Sequence, residues 1–158
     1  MATREQTTVR FKITSAALSA AEIQARTGLT ADETWKVGDK RGPFAVVEKI
    51  HGFVLDSKAL FNATLDDHVK AMLKRLAPSA QKVGAIAPQC EIEFSCILHR
   101  KKSPPLRFQR DDLRWLGVMG ARLDVDIFLI EEPSAPRGGG FGAGATGTTT
   151  GEAPKTGS

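Results

Sequence analysis

Tyrosine is absent from this 158-residue chain, so any aromatic core must rest on eight Phe and two Trp. Two cysteines are too few for a disulfide scaffold, which excludes the stapled folds of small secreted domains. No apolar run approaches the roughly 18 residues of a membrane span. Residues 1–8 are polar and mixed in charge, unlike the apolar segment of a secretory signal. The Gly-rich stretch 138–147 lacks the Gly-Lys-Ser/Thr ending of a phosphate loop, and no helix follows it. These absences lead to the expectation of a cytoplasmic protein with no membrane attachment and no cofactor.

What is present is ordinary for a globular domain: 41% apolar and 25% charged residues. The length suits one domain that buries roughly two thirds of its unfolded surface. The net charge of +4, with a pI near 9.3, matters only where the charge clusters.

Alternation places a strand over 8–14, with Val9, Phe11 and Ile13 on one face and Arg10, Lys12 and Thr14 on the other. A helix follows, with Ser19 as N-cap, Glu22 completing a capping box, a Leu18–Ile23 staple, and Gly28 as C-cap. Residues 33–37 read as a strand, 38–43 as a turn, and 44–55 as one long strand or a hairpin, with Gly52 marking a turn or bulge. Thr64 caps the clearest helix, whose Leu65, Val69, Met72, Leu73 and Leu76 recur at helical spacing until Pro78. A further short helix is open over 79–87. A strand over 91–98 turns Ile92, Phe94, Cys96 and Leu98 one way and Glu91, Glu93 and Ser95 the other. A helix over 110–119, ended by Gly120, leads to a last strand over 122–130. That strand is expected to send Leu123, Val125, Ile127 and Leu129 inward and Asp124 and Asp126 outward.

The expected architecture is α+β, in the order β-α-β-β-α-β-α-β. It is a two-layer, ferredoxin-like sandwich with an antiparallel or mixed sheet and helices on one face. The other sheet face should be polar and partly open. The domain spans 7–132. Residues 133–158 are mostly Gly, Ala, Thr, Pro and Ser, and burial there is too small to offset ordering entropy, so disorder is expected.

Several of these elements together carry a family likeness. They are the Phe11-Lys12-Ile13 strand, the first helix from Leu18 to Gly28, Trp35-x-x-Gly38-Asp39, Phe53-x-Leu55-x-Ser57, and Leu123-Asp124-Val125-Asp126-Ile127. This ordered pattern resembles the bacterial family known as domain of unknown function 4279. The resemblance covers nearly the whole domain and none of the tail. Family members often carry tryptophan where Phe53 stands, and an aromatic near Phe128. It implies a fold and no activity.

A shared metal is disfavoured: Cys90 and Cys96 on one strand stand ~20 Å apart, Cys96 and His99 face opposite ways, and His51 and His68 stand alone. Glu91 and Glu93, with Asp124 and Asp126, are expected to line one polar sheet face together with Arg10 and Lys12. Crowded carboxylates there would suit acid–base chemistry, whereas a solvated ladder of ion pairs is the plainer reading. Trp35, Lys36, Lys40 and Arg41 form either a structural anchor or an aromatic-cationic surface for an anionic ligand or partner. Arg100, Lys101, Lys102, Arg107 and Arg110, near Phe108 and Trp115, are the candidates for gripping nucleic acid. No nucleophile, base and orienting group assemble in the sequence.

The functional expectation is therefore a small non-catalytic binding protein, of immunity or regulatory type, recognising a protein or a small ligand. A protein partner or a homodimer is open, and nucleic acid is disfavoured. The alternatives are an enzyme working from the carboxylate face and nucleic-acid binding through 99–110.

Overall fold

The computed structural model describes residues 4–132, so the tail at 133–158 lies outside the described residues. Strand β1 (Gln6–Ser15) is followed by helix α1 (Ala20–Thr27) and a three-residue strand β2 (Glu33–Trp35). A two-stranded ribbon, β3 (Lys40–Arg41) and β4 (Val46–Val47), precedes β5 (His51–Asp56). Helices α2 (Leu65–Leu76) and α3 (Ala80–Ile86) lead to β6 (Glu91–Arg100), then α4 (Arg110–Met119) and β7 (Arg122–Leu129). The expected order thus gains the ribbon and α3.

The sheet is mixed and five-stranded, in the order β2-β5-β1-β6-β7. All neighbours are antiparallel except β6 and β7, which are parallel and joined through α4. β1 sits in the centre because its alternation serves two partners at once. Phe11 lies opposite Leu55 on one side and Phe94 on the other. These side chains and those of Ile23, Met72, Leu76, Val83 and Met119 form one buried cluster, so the helices cover a single face of the sheet.

The helix ends follow the side-chain chemistry. Ser19 and Glu22 form a capping box, as do Thr64 and Asp67, and Gly28 and Gly120 close their helices at φ 74° and 65°. Gly84 lets α3 lie close on α4, since a Cβ there would meet the Val118 carbonyl. Asp32 ties the layers together. It accepts from Arg75 on α2 and from the Asp56 amide of β5, and pairs with Lys58. Burial opposes its ionisation, yet these bonds hold its carboxyl down to about 2.

Three expectations are corrected. Residues 44–55 make neither one strand nor a self-contained hairpin. The chain breaks at 48–50, where Gly38 and Glu48 amides bond the Glu48 and Asp39 carbonyls and fold the ribbon back. Gly52 is no bulge, because it stands in regular register opposite Thr14 and Trp35. On β7, Leu123 and Val125 pack against the core, but Ile127 and Leu129 are 36% and 62% exposed. β7 is an edge strand, and the core beneath it ends at Val125.

His68, which stands alone in the sequence, is buried on α2 with its Nδ1 2.6 Å from the Ser57 hydroxyl. Its Nε2 has no partner among the described residues. Burial pushes its pKa below the ordinary histidine value. The Leu60 carbonyl and Asp67 work against that push, and Arg100 adds to it. The unfolded chain therefore takes up the proton first. The stability from a neutral His68 is complete above pH ~6.5 and falls as pH drops through that value. The loss should reach at most about 1.4 kcal/mol per pH unit in urea unfolding between pH 7 and 5, and it should shrink in His68→Asn. Identical pH slopes for the two proteins would contradict this.

Candidate functional site

The face of the sheet away from the helices is open and polar, as β1 and β6 alternation dictates. Register sets its pattern. Arg10 lies opposite Asp56 and Ser95, Lys12 opposite Val54 and Glu93, and Thr14 opposite Gly52 and Glu91. On the far side, Glu93 and Ser95 face Arg122 and Asp124 of β7.

One end of this face is walled. Trp35, at the end of β2, is opposite Gly52, and its indole lies directly over that residue. A Cβ at Gly52 would overlap the ring, so only glycine leaves room. The guanidinium of Arg41 stacks on the indole, 3.7 Å from its centroid. That guanidinium also donates to Glu33 of β2, and to Glu48 at 3.0 Å. The ribbon delivers Arg41 to this position. Its turn is set by the Asp39 carboxylate, which accepts from the Lys36 amide at 2.9 Å, and by Gly38 at φ 92°. Trp35 is left 8% exposed, and its indole N–H has no acceptor among the described residues.

Wall and sheet enclose a half-open cleft of about 540 Å³. Six of the expected site residues line it: Arg10, Lys12, Trp35, Arg41, Glu91 and Glu93. Asp124 touches it through Arg122, whose guanidinium bonds Glu93 at 2.7 Å and Asp124 at 3.0 Å. Asp126 stands further along β7 opposite Ile97 and does not line the cleft, and neither do Lys36 and Lys40.

The charges on the face are mostly matched. Arg10 bonds Asp56 at 2.9 Å, and Lys12 approaches Glu93 at 3.4 Å. Crossed pairs of this kind make the solvated ladder, each exposed pair contributing ~0.2–1 kcal/mol. Glu33, Glu48 and Arg122 complete the site and were not singled out from the sequence. Arg122 shares the parity of Asp124, a signal that was available. The roles of Glu33 and Glu48 depend on the ribbon folding back, which no local pattern announces.

The other candidates do not converge. Arg100 spends its guanidinium on the Gln6 and His99 carbonyls and the Thr7 hydroxyl, fastening β6 to the start of β1. Lys101 pairs with Glu132 at 2.6 Å, and Arg110 sits in the first turn of α4. Lys102 and Arg107 are exposed, while Phe108 packs against the core. Burial pushes the Cys96 thiol up to about 12, so it offers no thiolate at neutral pH. Among the described residues no three His, Cys, Asp or Glu side chains are grouped for a metal, and no helix is long and apolar enough to cross a membrane.

A family model described as a domain of unknown function (DUF4279) matches residues 5–129, from the start of the first strand to the end of the last. Neither the curated proteins nor the solved structures contain a match to the chain.

The Trp35–Gly52 contact makes a direct prediction. Gly52→Ala should lower stability in urea unfolding by about 1–3 kcal/mol, because the indole must lift off the sheet. Gly117→Ala on α4, where an added Cβ meets open space, should instead stabilise by about 0.5–1 kcal/mol. Equal effects at the two positions would contradict the packing.

Proposed function

The chain belongs to the family described as a domain of unknown function (DUF4279), which names no activity; from the sheet-face cleft we propose a non-catalytic protein that binds a small ligand there. The observation that carries this is the cleft itself: about 540 Å³, walled by Trp35 and Arg41 and lined with side chains of both signs.

The state of the carboxylates supports a binding role over catalysis. Glu93 and Asp124 are both held by Arg122, so neither is free to shuttle a proton without losing a partner. Ser57 and His68 form a close pair but lie buried. Nucleic acid fits poorly, since bases and acids are interleaved on the cleft and Arg100 is already engaged. A protein partner is the second reading, favoured by exposed Ile127, Phe128 and Leu129 on the edge strand β7. An immunity-type or regulatory role belongs to either reading.

We read the fold as a ferredoxin-like two-layer sandwich extended by α4 and β7. The antiparallel order β2-β5-β1-β6 and the single helix-covered face support that reading. Two free thiols support a reducing, cytoplasmic location.

Native mass spectrometry of the full chain, gently purified from its own host, tests the ligand. The expected result is a reproducible extra mass that Ser95→Phe, which fills the cleft floor, abolishes. Wild-type protein without extra mass, or an extra mass unchanged in the variant, would overturn the reading.

A further inference from the structure

Four cations and four carboxylates line the cleft, and their bonding is uneven. Arg10, Arg41 and Arg122 each donate hydrogen bonds to carboxylates. Glu33, Glu48 and Glu93 each accept from one of these guanidiniums. Two groups are left over. The Lys12 ammonium stands 3.4 Å from a Glu93 carboxylate that Arg122 already holds at 2.7 Å, and that ammonium makes no hydrogen bond among the described residues. Glu91 is exposed, and its carboxylate has neither a hydrogen bond nor an ion pair among them.

The two are close neighbours. Lys12 is paired with Glu93 across the β1–β6 ladder, which makes Glu91 its diagonal neighbour, with ~7–8 Å between such positions. Beside them lies Val54, opposite Lys12 across the β1–β5 ladder and an apolar part of the same cleft.

Resting on the reading that the cleft binds a small ligand, we propose that this ligand is an amino-acid-type zwitterion with an aliphatic side chain. Its carboxylate takes the unused donors of Lys12, and its ammonium takes the unused acceptors of Glu91. Charge-assisted bonds of ~2.8 Å at each end, with the short span between the two groups of an α-amino acid, fit the diagonal spacing. The aliphatic side chain lies along Val54. A simple anion leaves Glu91 unmatched and brings its charge towards that carboxylate. A simple cation does the same to Lys12. A dipolar ligand satisfies both and leaves the matched pairs around them undisturbed.

Calorimetric titration of the dialysed full chain with L-leucine, leucinamide and isocaproate tests this. Leucine is expected to bind, and each analogue, lacking one charge, to bind at least tenfold more weakly. Glu91→Gln should weaken leucine by about tenfold but not isocaproate, whose charge it no longer opposes, whereas Lys12→Met should weaken leucine but not leucinamide. No leucine binding at millimolar concentration, or analogues that bind as well as leucine, would overturn the proposal. If leucine fails while the host-derived mass is still lost in Ser95→Phe, the zwitterion is wrong and the cleft reading stands. If that mass is unaffected as well, both fail.

Discussion

The indole of Trp35 resting on Gly52 is the contact on which the open side of this protein depends. A sheet covered by helices on one face leaves its other face to water, and a flat polar face holds little. Trp35 lies across that face at the end of a strand only three residues long, where it buries a large aromatic surface against backbone. Arg41 then covers the indole and reaches Glu33 and Glu48, which fastens a two-stranded ribbon to the sheet edge. Cation–π stacking and the paired carboxylates each contribute modestly, on the order of 1 kcal/mol. Their joint effect is geometric: a wall stands where the sheet would otherwise end, and a cleft lies beside it.

Electrostatics sharpen what that cleft can hold. The chain as a whole carries +4, but its open sheet face is not a basic patch. Arg10 is matched by Asp56, and Arg122 of β7 by Glu93 and Asp124, so most neighbouring charges neutralise one another across the face. Long-range steering of anions is therefore weak, and selectivity rests on groups the ladder leaves over. Lys12 and Glu91 are those groups. Their opposite signs and diagonal placement ask for a ligand that is itself dipolar.

Period-2 and period-3.6 patterns made much of this legible in the sequence. The faces of β1 and β6 follow from alternation alone, and so does the sharing of one face by Arg10, Lys12, Glu91 and Glu93. The Ser19 and Thr64 caps follow from side chains that bond their own backbone, and the end of α4 from Gly120. What escaped depends on tertiary approach. Gly52 reads as a bulge because a strand glycine has several causes, and the indole that requires it comes from another strand. The ribbon at 40–47 is held by Asp39 and Glu48 closing on each other, with no periodicity to reveal it. β7 alternates perfectly, yet its last apolar residues face solvent because an edge strand outruns the core beneath it. The Ser57–His68 pair joins a loop to a helix, a contact that no local pattern announces.

The wall and the cleft exist only if Trp35 is packed against the sheet. The chain has two tryptophans, and the other, Trp115, is 39% exposed against 8% for Trp35. Fluorescence of the full chain carrying Trp115→Phe therefore reports Trp35 alone. The account predicts blue-shifted emission that acrylamide barely quenches in the native state, moving to the red on unfolding. Native emission that is already red and readily quenched would mean the indole is in water, and neither the wall nor the cleft would exist.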